Sequence, residues 1–195
     1  MKTTTLAILI SGSGRTFQNF IDEIAAGRLD ARIRVVVSSS PDAAGNEKAR
    51  RAGIPVVVVD RKSREFNEAV TKAVEEHKVD LVLLAGFLHL WKFPAKYKGR
   101  VLNIHPALLP EFGGKGMYGH HVHEAVLQSG AKESGCTVHV ADLEYDRGPI
   151  VLQRKVKVRA DDTPDTLAAR VFAEELIAYP EAVRKVAAKL PEKSP

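Results

Sequence analysis

Three groups of residues in this chain have the types and spacing to do chemistry. The first is Asn103 and His105, two apart in Asn103-Ile104-His105-Pro106-Ala107-Leu108-Leu109-Pro110. In an extended chain, residues i and i+2 point to the same side, and Pro106 biases His105 toward an extended backbone. An amide and an imidazole on one side can polarise a carbonyl and move a proton. The same pair also fits a structural Asn and a packed His before a Pro turn, and the residues alone leave both open. The second group is Asp146, in Asp142-Leu143-Glu144-Tyr145-Asp146-Arg147-Gly148-Pro149. It could orient a histidine or a water, or take up a proton; in isolation it reads as a turn-forming Asp. The third is Ser11-Gly12-Ser13-Gly14-Arg15-Thr16, between an apolar run and a helical stretch. Glycines there let the backbone approach an anion, and a helix N-terminus supplies N–H donors at the positive end of its dipole. Phe17 stands where a dinucleotide fingerprint would carry its third glycine, and no Gly-Lys-Ser/Thr follows.

The elements that must position these groups follow from hydrophobic periodicity. Continuous Val/Ile/Leu runs at residues 6–10, 33–37, 56–59, 81–84 and 101–104 predict five strands covered on both faces. Helical stretches fall at 16–26, 43–52 and 66–77; the last has Phe66, Ala69, Val70, Ala73, Val74 and His77 on one stripe. Strand alternating with helix means an α/β fold, a doubly wound, mostly parallel Rossmann-like sheet. The Asn-x-His pair then ends the fifth strand, where open α/β sheets bind ligands. Residues 111–119 hold four glycines and read as a loop. A helix at 121–128 follows, then strands at 136–140 and 150–158 joined by the Asp146 turn, an antiparallel C-terminal extension. Thr163 and Pro164 open a long last helix, which Pro180 is expected to break. Residues 191–195 read as a frayed tail.

Length and composition bound the rest. A chain of 195 residues predicts one domain, 1–195. At 45 % hydrophobic and 27 % charged residues, the chain is neither disordered nor collagen-like, and it carries no membrane span. The net charge of +5 favours anionic small molecules, but the basic residues are scattered and form no nucleic-acid motif. The single Cys136 cannot pair within the chain and reads as a buried small residue in a strand; a reducing, cytoplasmic setting follows. His120, His121 and His123 cluster without carboxylate or cysteine at metal-ligand spacing, so no metal site is expected; a solvated or substrate-loop role is. His139 could face core or site. Small-molecule substrates are the expected partners, in a monomer or homodimer.

Together and in this order, the motifs resemble the folate-dependent formyltransferases, in particular the phosphoribosylglycinamide formyltransferase branch. The most specific pieces are Leu84-Ala85-Gly86-Phe87, the run 103–110, Thr137-Val138-His139 and Asp146-Arg147-Gly148-Pro149-Ile150-Val151-Leu152-Gln153. The resemblance implies catalytic roles for Asn103, His105 and Asp146, and phosphate contacts from Gly14, Arg15 and Thr16. It further implies a glycinamide contact from Glu175. Folate contacts fall on Arg64, on Leu88, His89, Leu90 and Trp91, on Asn103, and on Asp142, Leu143, Glu144, Tyr145 and Asp146. On this reading 1–110 is the phosphate-binding half and 111–190 the folate-binding half. Arg15 and Thr16 stand where Ser-Asn is frequent, and Ala107 where Ser is common.

The implied reaction is formyl transfer from 10-formyltetrahydrofolate, a co-substrate, to the amine of glycinamide ribonucleotide. Asn103 would donate to the formyl oxygen, a protonated His105 would add positive charge, and Asp146 would raise the His105 pKa and organise a proton-carrying water. A hydrolase releasing formate from the same folate and a non-enzymatic nucleotide-binding module are the alternatives.

Overall fold

The computed structural model describes residues 3–191. Its centre is a seven-stranded sheet in the order β3-β2-β1-β4-β5-β6-β7. The strands are β1 (Thr4–Ile10), β2 (Ala31–Ser38), β3 (Val56–Val58), β4 (Leu81–Leu84), β5 (Val101–His105), β6 (Glu133–Val140) and β7 (Ile150–Lys157). The first five run parallel, and β6 and β7 add antiparallel. The helices are α1 (Arg15–Ala25), α2 (Ala44–Arg51), α3 (Phe66–Glu76), α4 (His120–Gln128) and α5 (Pro164–Ala187).

The unbroken apolar strands have the expected cause. Along β1, Leu6, Ile8 and Ile10 enter one core with Phe17 and Phe20 of α1 and Leu167 and Tyr179 of α5. Ala7 and Leu9 enter a second core on the opposite face, with Val70 and Val74 of α3. With helices on both faces, neither side of the strand meets water, so alternation disappears. Cys136 is fully buried in the first core, where burial pushes its thiol up to about 12.

α5 fastens the fold to the functional end of the sheet. Its start is a capping box: the Thr166 N–H donates to the Thr163 hydroxyl and the Thr163 N–H to that of Thr166, with Pro164 in the first turn. Buried Tyr179 donates its hydroxyl toward the carbonyl of Leu102 at 2.8 Å, with that of Leu84 at 3.2 Å. The expected break at Pro180 does not occur; α5 runs through it to Ala187. Proline has no N–H for the carbonyl four residues back, which is that of Leu176. Asn19 of α1 supplies the missing donor, its side-chain amide lying 2.8 Å from the Leu176 oxygen. Of the expected tail, residues 192–195 lie outside the described residues.

The Asn19 contact yields a double-mutant test. Asn19→Ala should destabilise the protein by about 1–3 kcal/mol in urea titrations, the cost of an orphaned buried acceptor. In a Pro180→Ala background the helix regains its own N–H donor, and the same change should cost clearly less. Equal costs in both backgrounds would refute the repair.

Candidate active site

The order β2-β1-β4 places a topological switch between β1 and β4, and a cavity of about 630 Å³ opens beyond the carboxyl ends of the parallel strands there. Three strand ends furnish its floor. After β1, Gly14 (φ +65°) caps α1; a side chain there would put Cβ 2.8 Å from the Gly45 Cα of α2, so the turn depends on glycine. Arg15 and Thr16 then reach the cavity at the N-terminus of α1. After β4, Gly86, Phe87 and Leu88 line it, held by the Leu88 N–H donating to the Ser11 hydroxyl at 3.0 Å. At the end of β5 stand Asn103 and His105, on one side as their spacing predicts.

The turn after β6 carries Asp146 over the same floor. Gly148 makes this approach feasible: a Cβ there would meet the Val140 carbonyl oxygen at 1.7 Å. Asp146 takes a left-handed backbone (φ +58°), which Asp tolerates better than most residues. One of its carboxyl oxygens accepts the Gly114 N–H at 3.0 Å and faces His105 Nδ1 at 3.5 Å. The other accepts from the Asn103 amide at 3.2 Å and lies 3.5 Å from His139 Nε2. Burial opposes the charge, but His139, His105 and the Gly114 N–H together hold the carboxyl below its ordinary range.

His105 is 3 % exposed. Its Nε2–H donates to the Phe112 carbonyl at 2.7 Å, leaving Nδ1 toward Asp146. Its pKa runs against the sequence-based expectation. Burial pushes it down; Asp146 and the Phe112 carbonyl push up, His139 pushes down again, and the net direction is below 6.5. Asp146 acts in the expected direction but does not outweigh desolvation, so His105 is neutral at pH 7.

His139 belongs to the cluster, which sequence reading left open. The antiparallel register sets it opposite Asn103, and Thr137 opposite His105. Its Nδ1–H faces its neighbour's carbonyl at Val140, and its Nε2 accepts from the Asn103 amide at 3.0 Å. Thr137 and Gln153 hold the chain after β5: the Thr137 hydroxyl donates to the Ala107 carbonyl and accepts the Leu109 N–H, while the Gln153 amide donates to the Leu109 carbonyl. The only advance signal was the matched spacing Asn-x-His and Thr-x-His, uninformative until the strands pair.

The far wall is α5. The Arg15 guanidinium lies 3.8 Å over the Phe172 ring, and Glu175 lines the cavity beyond. Burial pushes the Glu175 carboxyl up to about 8, against the downward pull of Arg15. At the mouth, Leu88 is 51 % exposed and Tyr145 lies beside Asp146. Other residues singled out by sequence lie off the cavity wall. Arg64 is exposed; His89 packs edge-on to Phe66 and Phe87; Trp91 is buried in the second core, its indole N–H donating to Thr71. Leu90, Asp142, Leu143 and Glu144 also lie outside the wall, and Asp142 accepts the Glu144 N–H. His120 and His121 are exposed beside Glu124, whereas His123 is buried against the cavity. Among the described residues, no three His, Cys, Asp or Glu side chains are arranged to hold a metal ion. No described helix is long and apolar enough to cross a membrane.

Comparison with known proteins gives a consistent result. The sequence profile of the formyl transferase family matches residues 4–183. The chain is 43 % identical over 185 residues to the chloroplastic phosphoribosylglycinamide formyltransferase of Arabidopsis thaliana, covering 91 % of this chain and 63 % of that one. It is 37 % identical to the phosphoribosylglycinamide formyltransferase of Escherichia coli K12, covering 90 % and 83 %. The crystal structure of glycinamide ribonucleotide transformylase 1 from Symbiobacterium toebii superposes with a TM-score of 0.87 at 39 % identity, covering 98 % and 92 %. The chain thus spans less than two-thirds of the Arabidopsis relative.

Glu175 makes stability depend on pH in a stated direction. Its folded pKa is raised from 4.5 to about 8. Its contribution is therefore full below the unfolded value and is lost as pH rises toward the folded one. Glu175→Gln stays neutral throughout. Relative to wild type, its melting temperature should climb between about pH 5 and pH 8. A difference that stays flat across that range contradicts the assignment.

Proposed function

The chain belongs to the formyl transferase family, and from that premise we propose that it moves a formyl group from 10-formyltetrahydrofolate to the amine of glycinamide ribonucleotide. The observation that carries this reading is the convergence of Asn103, His105, His139 and ionised Asp146 on one cavity, beside an anion-suited helix N-terminus.

The chemistry follows from the contacts. The neutral amine attacks the formyl carbon, and negative charge grows on the formyl oxygen. Without substrate, the Asn103 amide donates both to His139 at 3.0 Å and to Asp146 at 3.2 Å. An incoming formyl oxygen must take over one N–H. The longer contact to Asp146 is the one that yields, while His139 keeps the amide oriented. A preorganised donor of this kind stabilises the intermediate without reorganisation at the moment of reaction.

His105 and Asp146 then manage the proton. A neutral imidazole with Nε2–H on Phe112 turns its Nδ1 lone pair toward a carboxylate, leaving room for one proton between them. A proton leaving the attacking amine is held there as an imidazolium–carboxylate pair, directly or through a water on Asp146. It passes to folate N10 as the carbon–N10 bond breaks. The products are the formylated ribonucleotide and tetrahydrofolate. Arg15, Thr16 and the N-terminus of α1 receive the phosphate, and Glu175 faces the glycinamide. The exposed apolar rim at Leu88 and Tyr145 suits the flat pterin ring.

The deciding assay incubates the protein with 10-formyltetrahydrofolate, with and without glycinamide ribonucleotide, and follows tetrahydrofolate and formate. Turnover should require the ribonucleotide; formate release without it would mean a hydrolase. Asn103→Ala should lower turnover by about 10²–10³, the usual loss for one oxyanion donor, and Asp146→Asn at least as much. Arg15→Ala should raise the ribonucleotide KM by about tenfold, the loss of a modest charge-assisted contact, leaving the folate KM unchanged.

A further inference from the structure

His123 is the one buried polar group on the cavity wall that the proposed chemistry leaves without a task. It sits on the buried side of α4 beside Val122 and Val126, a position where a leucine would pack without desolvation cost. The side chain is 4 % exposed and borders the cavity. Its Nδ1 is buried with no partner, and no hydrogen bond among the described residues involves the ring. A buried unpaired nitrogen destabilises a fold, and native proteins retain few of them. Here the ring that carries it lines a ligand cavity.

The surroundings define what it would bind. Burial, with His120 and His105 nearby, pushes its pKa down to about 4, so the ring is neutral. A neutral imidazole presents one N–H and one lone pair. It therefore suits a polar group that can use both an N–H and a lone pair, such as an amide or a hydroxyl. Its location selects the substrate. α4 packs on α5, which carries Phe172 beneath Arg15 and Glu175. The same α5 wall therefore meets both α4 and the anion turn at Arg15.

We propose that His123 is an acceptor-binding residue, its imidazole hydrogen-bonding the uncharged amide or a ribose hydroxyl of the ribonucleotide and so setting the approach of the amine. The proposal rests on the formyl-transfer reading. The test uses His123→Leu, which fills the space but removes both nitrogens, and His123→Gln, which restores a donor and an acceptor. Glycinamide ribonucleotide alone is titrated calorimetrically into each protein, and both KM values are measured. His123→Leu should weaken ribonucleotide binding and raise its KM tenfold or more. The folate KM should stay within twofold and the melting temperature should be equal or higher. His123→Gln should recover part of the affinity, and it carries the test if the leucine variant does not fold. Unchanged ribonucleotide affinity in the variants, or a shift in the folate KM instead, overturns the proposal. A wild type that does not bind the ribonucleotide overturns the formyl-transfer reading itself, and this inference with it.

Discussion

The site depends on one buried carboxylate. Asp146 is charged in a place where burial alone would push it toward neutral, and His139, His105 and the Gly114 N–H, from separate parts of the chain, keep it so. Asn103 and His105 come from β5, His139 from β6, and the Gly114 N–H from the glycine-rich loop. A charge in low-dielectric surroundings interacts strongly with each of them. Its desolvation therefore becomes a constraint that gathers strand end, strand, loop and turn around one point. Removing any partner would weaken the others, because each is oriented by the same carboxylate.

The sheet explains why those partners arrive together. Parallel strands deliver their carboxyl ends to one edge, and the switch between β1 and β4 leaves a crevice there. The change to antiparallel at β6 then does something a sixth parallel strand would not. It sets Asn103 directly across from His139, and His105 across from Thr137. It also brings the turn that follows β6, with Asp146 on it, back over the end of β5. The long α5 closes the opposite side, tied to the sheet by the Tyr179 hydroxyl on the Leu84 and Leu102 carbonyls.

The cavity is electrically divided. Arg15 and the first turn of α1 make one end positive, and the far floor holds an anionic carboxylate among imidazoles and an amide. Two of these histidines are held neutral by burial: His105 is desolvated beneath the loop, and His123 is desolvated beside two other histidines. Neutral rings can accept or relay a proton without holding substrate anions in the wrong place. This fits a transfer in which charge appears only transiently.

Much of the fold was legible in the sequence, because local causes set it. Unbroken apolar runs mark strands covered on both faces, the stripe Phe66-Val70-Ala73-Val74 marks a helix, and Thr163-Pro164 marks a helix start. The shared side of Asn103 and His105 follows from two-residue periodicity. Other features had no local cause. Pro180 sits inside a helix because Asn19, over 150 positions earlier, satisfies the carbonyl it orphans. The resemblance gives Trp91 a folate contact, yet it packs in the second core, since which face of a strand-end segment meets the cavity depends on the neighbouring helix. His139 and His123 entered the site only through strand register and helix packing. The neutral state of His105 was likewise invisible, because spacing predicts an attractive carboxylate but not the depth of burial that outweighs it. Residue types and periodicity determined the elements and the reacting groups; pairing register, burial and long-range repair of backbone polarity belong to the tertiary structure, because they depend on residues distant in the chain.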